Sequence, residues 1–302
     1  MMLYEIQRGN FERREKIMIK IRLERDFNVA PELLWELVVD PDHYRFWTEA
    51  FSEGSTFYGE WTKGSKIRFV GEDENGLESG MISEIAESRW PEFISIKHVG
   101  LVMGGVDDYD SPTAREWTPA LENYTFTSKE DGTCTFGVEQ DVPEEEAEEF
   151  KANWENSFDR MAIRLQTSGD VGKVITLREK SSQRPEEIWE KLVTPEKVKS
   201  WNYASDDWHC PNAENTLAIG GEFHYEMAAK DGSESFDFGG TYTEIEPPKK
   251  LYFALGDGRK VRIDIFEKPD GCLIEERFEA EQQNNLHLQR QGWQSILKNL
   301  AG

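Results

Sequence analysis

The chain has 302 residues, of which 59 are acidic and 35 basic, for a formal net charge of −24. So negative a surface repels phosphate backbones and anionic headgroups, which argues against nucleic acid and membrane as main partners. No apolar run approaches the ~18 residues needed to span a bilayer.

The length is about two domains' worth, and a half of about 150 residues buries roughly 70% of its unfolded surface, so it needs no staple. Residues 1–17 open the chain as an N-terminal extension without the apolar core and cleavage site of a signal peptide. Its "ERREKIM" can be encoded by a purine-rich run resembling a bacterial ribosome-binding site before Met18. Two readings follow: upstream sequence included by a wrong start, or an ordinary disordered tail. From Ile17, alternation of Ile19, Ile21 and Leu23 with Lys20, Arg22 and Glu24 predicts a half-buried strand.

"APELLWELVVDPDHYRFW" follows at residues 30–47, and its pattern returns at 184–201 as "RPEEIWEKLVTPEKVKSW". Pro31, Trp35, Pro41 and Trp47 recur as Pro185, Trp189, Pro195 and Trp201, each 154 positions on. Two tryptophans and two prolines in register mark one domain written twice, expected at residues 18–168 and 171–302. In each copy proline suits a first helical position. Asp40-Pro41 and Thr194-Pro195 read as a cap plus proline that ends one helix and starts a short second one.

Strands come next. "KGSKIRFVG" matches "IGGEFHYEM", and "SGMISEI" matches "GGTYTEI", with Gly80 and Gly240 separated by 160. Asp-Gly turns ending at Gly132 and Gly271 join a hairpin in each copy, where the spacing is 139. The first copy therefore holds 21 extra residues, within "HVGLVMGGVDDYDSPTAREWTPA". Insertions of that size are lids, binding loops or linkers, and a plain loop is expected here. Each copy closes with an amphipathic helix: Phe150, Trp154, Phe158 and Met161 share one face, as do Trp293, Ile296, Leu297 and Leu300. Segregated helices and consecutive hairpins indicate α+β rather than a parallel sheet.

That order, with "GGEFHYEM", "GTYTEIEPPKKLYFALGDGRKV" and "RQGWQSILKNL" in the second copy and "WPEFISIKHVG" and "ENYTF" in the first, resembles the SRPBCC (START-like) superfamily. The closer likeness is to its branch related to the activator of heat-shock-protein-90 ATPase. The resemblance implies two tandem helix-grip domains, each a curved antiparallel sheet around a long C-terminal helix. It also implies a cavity between them that takes lipids, polyketides or other apolar molecules. Some relatives are cyclases or aromatase-like enzymes, and one branch binds the chaperone.

Period-two faces supply the expected cavity lining. In the first copy these are Phe69, His98 at a strand end, Tyr124, Phe126 and, on the closing helix, Trp154. In the second they are Phe223, Tyr225, Met227, Ile263 and Trp293. The alternative is that these side chains interlock as solid core, a difference of packing density that sequence does not report. The five histidines match no ligand spacing such as HExxH, and His209-Cys210 alone cannot complete a tetrahedral metal site. The three cysteines, Cys134, Cys210 and Cys272, form no CxxC pair, so neither a disulfide framework nor a cofactor or metal is expected, and a reducing, cytoplasmic setting fits. The glutamates of "PEEEAEEF" complement a helix dipole. By parity Arg262 points away from the cavity, while Arg259 ends a hairpin and reaches either way.

The leading expectation is a non-enzymatic protein that binds apolar small molecules and has no catalytic set. One alternative is a co-chaperone-like regulator of a heat-shock ATPase, although the separate N-terminal domain of the full eukaryotic activator is lacking. The other is a cyclase- or hydrolase-type enzyme, for which His98 and Tyr124 are the first residues to mutate.

Overall fold

A computed structural model describes residues 17–73 and 76–302. The extension expected at 1–17 lies, Ile17 excepted, outside the described residues. The chain divides into two compact units, the first ending at Val171 and the second starting at Gly172.

In the first unit β1 (Met18–Phe27) leads into α1 (Pro31–Val39) and α2 (Pro41–Thr48). Pro31 opens α1, and Leu34, Trp35, Val38 and Val39 form its buried stripe. Asp40 ends α1 and caps α2, its carboxylate accepting a 3.0 Å hydrogen bond from the Asp42 amide. The strands follow as β2 (Thr56–Gly59), β3 (Lys66–Glu72), β4 (Glu78–Arg89) and β5 (Phe93–Met103). After them come β6 (Val106–Asp108), α3 (Pro112–Trp117), β7 (Ala120–Ser128) and β8 (Cys134–Pro143), then α4 (Ala147–Thr167). All pairings are antiparallel, in the order β1-β8-β7-β5-β4-β3-β2, with β6 on β5. The core lies where α4 meets the curled sheet. Phe158 stands edge-on to Phe27 and Phe136, and Trp154 edge-on to Tyr124.

The insertion is built rather than loose. β5 runs on to Met103, β6 turns back on it, and α3 buries Trp117 and Ala114. The plain-loop expectation is corrected: a strand turn, a serine cap (Ser111 accepting from the Ala114 amide, 3.1 Å) and a buried tryptophan give the segment structure of its own. His98 also stands differently from its expected strand end. It lies mid-strand in β5, opposite Ser83 and Ala120.

The second unit repeats the plan: β9 (Val174–Ser181), α5 (Pro185–Val193) and α6 (Pro195–Val198), then the short β10 (Trp208–His209) and β11 (Ala213–Asn215). β12 (Glu222–Ala229), β13 (Ser235–Glu246), β14 (Lys250–Leu255), β15 (Lys260–Lys268) and β16 (Gly271–Glu279) follow, and α7 (Leu286–Ala301) closes the unit. The order β9-β16-β15-β14-β13-β12-β10, with β11 also on β12, reproduces that of the first unit. The repeated glycine of β4 and β13 has a steric cause. A Cβ at Gly80 would stand 2.0 Å from the Phe69 carbonyl oxygen, and one at Gly240 2.5 Å from that of Ala254. Thr194 offers no side-chain cap to α6, unlike Asp40.

Candidate functional site: two cavities under the closing helices

Each unit holds a cavity between sheet and closing helix. That of the second unit is about 370 Å³, that of the first about 150 Å³.

In the second unit, inward residues of successive strands line the space: Phe223, Tyr225 and Met227 of β12, Phe238 and Tyr242 of β13, Phe253 of β14 and Ile263 of β15. α7 supplies Gln289, Gly292, Trp293 and Ile296. Trp293 is set by stacking on Phe278 at 4.2 Å, with Phe238 edge-on at 5.7 Å. Phe236 and Leu288, each about half exposed, also line the space. Polar groups are few. Tyr225 and Tyr242 place their hydroxyls 3.3 Å apart, and burial raises both phenols. Arg259 reaches the lining from the β14–β15 turn, held by Asp257 at 2.7 Å. Arg262 lies over the Tyr252 ring, away from the lining. From β16 comes Glu276, 6% exposed, with no hydrogen-bond partner among the described residues. Burial pushes its carboxyl up to about 8.

The smaller cavity has a connected polar wall. Phe69, Tyr124 and Trp154 line it together with Tyr44, Trp47 and Trp117. Glu122 is the hub of its polar wall. It accepts from the Tyr124 hydroxyl and, at 2.8 Å, from Gln140 Nε2, while His98 Nε2 lies 3.4 Å away. Ser83 Oγ lies 2.8 Å from His98 Nδ1, and Trp154 donates to Gln140 Oε1 at 2.8 Å. Burial first, then the Glu122 charge, raises the Tyr124 phenol well above its usual value. Both oxygens of Glu122 are thus engaged by the protein's own donors, so the cluster ties strands and helix together and presents no free base.

Of the ten residues singled out from the sequence, Phe223, Tyr225, Met227, Ile263 and Trp293 meet on the larger cavity, and Phe69, His98, Tyr124 and Trp154 on the smaller. Phe126 lines neither. It is packed 5.2 Å from Trp35 and 5.1 Å from Phe136, because α1 covers that end of β7. Sequence reading missed Glu276, Glu122 and Gln140. The signal was parity: Glu276 alternates with Ile274 and Phe278, and Glu122 with Tyr124, but a charged residue in such a run reads as solvent-facing.

Burial raises the Cys134 and Cys210 thiols to about 11, which leaves little thiolate near neutral pH. Among the described residues no group of three His, Cys, Asp or Glu is placed to hold a metal, and no helix is long and apolar enough to cross a membrane.

The model of the family described as Activator of Hsp90 ATPase homolog 1-like protein matches residues 28–166 and again residues 182–302. The chain belongs to this family. It is a tandem member, with one match in each of its two units. Among solved structures it is similar to the AHSA1-like protein from Aeromonas hydrophila, at 39% identity over 42% of this chain and 89% of that one (TM-score 0.41). A protein from Cytophaga hutchinsonii is also 39% identical, over 43% and 89% (TM-score 0.38). The di-domain ARO/CYC StfQ from the steffimycin biosynthetic pathway matches over 93% of this chain and 97% of its own, at 10% identity (TM-score 0.38). No curated protein matches the chain. The helix-over-sheet cavities of this tandem family member fit a ligand-binding role.

Proposed function

We propose that the chain binds apolar small molecules in the cavity of its second unit, without chemistry on them. The observation that carries this reading is an aromatic-lined space of about 370 Å³, a size typical of small-molecule sites, under α7. The cavity of the first unit has less than half that volume and a polar wall satisfied by the protein's own donors. The three unpaired cysteines, all buried, support a reducing, cytoplasmic setting.

A solvatochromic dye titration of the full chain, with native mass spectrometry for stoichiometry, tests the proposal. The expected result is saturable binding that Gly292→Leu abolishes. A Cβ at Gly292 meets nothing within 4 Å, so a larger side chain there extends into the cavity. Binding that survives this substitution, or no binding at all, sinks the reading.

The family's description supports a second reading, contact with a heat-shock ATPase. On this reading the acidic surface, with a net charge of −24, would meet a basic face of the partner. Co-purification with the chaperone and a change in its ATPase rate are the expected results; neither appearing discards it.

A further inference from the structure

We propose that Glu276 is the polar anchor of the larger cavity, donating a hydrogen bond to the acceptor oxygen of an uncharged, ring-containing ligand. This rests on the ligand-binding reading above and names the ligand class.

The pairing register shows that the fold does not need this carboxyl. In the first unit Val138 of β8 stands opposite Tyr124 and Leu23. In the second, Glu276 of β16 stands opposite Ile263 and Leu177. The two sheets are built alike, and one places an aliphatic side chain where the other places an acid. A buried group that lacks a partner and that the architecture does not require points to a partner brought from outside.

The chemistry of that partner follows from the surroundings. An unpaired carboxylate among aromatic rings gives up its charge by taking a proton, and a protonated carboxyl is a donor. An anionic ligand meets no buried cation at this position. A cationic one is repelled by the Arg259 guanidinium in the same lining and must also shed the hydration of its own charge. An uncharged ring system with a carbonyl or ether oxygen meets neither obstacle and fills the space between Phe223, Tyr242 and Trp293.

The charged and titratable groups lining the cavity besides Glu276 are Arg259, Glu281, Tyr225 and Tyr242. Arg259 is paired with Asp257. At Glu281 burial acts upward, but hydrogen bonds from the Gln283 and Asn284 amides prevail and hold the carboxyl low. Both phenols are raised above their usual value. From α7, His287 and Arg290 lie outside the lining, and burial lowers the imidazole. Within the lining, Glu276 alone titrates between neutral and mildly alkaline pH.

The test titrates the full chain with Nile red, an uncharged ring dye bearing a carbonyl, at about pH 6 and about pH 9.5. The wild type is expected to bind roughly thirty-fold more weakly at the higher pH, because the acceptor then faces a carboxylate. Glu276→Gln keeps a donor and loses the pH dependence. Glu276→Leu binds Nile red several-fold more weakly at the lower pH, yet binds pyrene, which has no acceptor, at least as tightly as wild type. Equal wild-type affinity at both pH values, with Gly292→Leu still abolishing binding, overturns the anchor and leaves the cavity standing. Failure of the wild type to bind either probe removes the cavity reading and the anchor with it.

Discussion

Glu276 also bears on stability. Its carboxyl titrates near 8 in the folded chain and near the ordinary value of about 4.3 once unfolded. Between those limits the folded state holds a proton that the unfolded state has released, so stability falls as pH rises, by up to about 1.4 kcal/mol per pH unit, and levels off above 8. Denaturant curves at several pH values should show this slope in the wild type and not in Glu276→Gln; parallel curves would reject the assignment. The corresponding test in the first unit is Gln140, which accepts from the Trp154 indole and donates to Glu122. Gln140→Leu strands the indole N–H inside the protein and should cost about 1–3 kcal/mol by chemical denaturation. An unchanged midpoint would show that the pair carries no net stability. In the second unit the corresponding helix tryptophan is held by the Phe278–Trp293 stack.

At the scale of elements, the closing helices differ in how fully they are buried. α4 sinks Phe150, Trp154, Phe158 and Met161 into the core, whereas α7 buries Leu297 and Leu300 near its C-terminal end and spans the cavity with Gly292, Trp293 and Ile296. A glycine inside a helix costs about 1 kcal/mol relative to alanine. With open space around its missing Cβ, Gly292→Ala should therefore stabilise the second unit by up to that amount in urea unfolding; destabilisation would mean the space is filled. The start of α7 depends on Asn285, whose side chain accepts from the Leu288 amide at 2.8 Å. Asn285→Ala should lose about 1 kcal/mol and speed amide exchange in the first turn, next to the cavity residues Leu288 and Gln289. Exchange no faster than wild type would exclude a capping role. The insertion of the first unit acts at this scale too, since α3 brings Trp117 to the smaller cavity.

At the scale of the whole molecule, each unit has a sheet, a closing helix and a hydrophobic core of its own. Residues 17–171 and 172–302, expressed separately, should each unfold cooperatively, as followed by near-ultraviolet circular dichroism; a half that stays unfolded would show that the copies depend on each other. Duplication, the succession of elements along the chain and the closing helices were legible because they are written in local chemistry: proline at helix starts, Asp-Gly at hairpins, glycine where Gly80 and Gly240 approach a neighbouring strand, and two hydrophobic periods. Those signals repeat at matched spacings, and repetition makes a weak signal strong. Parity along the strands, with the helix period for Trp154 and Trp293, placed nine of the ten expected side chains at a cavity wall, while Phe126 was lost to the core because nothing local says where α1 will cover β7. Only the tertiary structure decided that the cavity of the second unit has more than twice the volume of that of the first, that the insertion folds, and that Glu276 lines the larger one. Packing density and desolvation depend on which distant side chains converge on the same volume, and no short stretch of sequence contains that information.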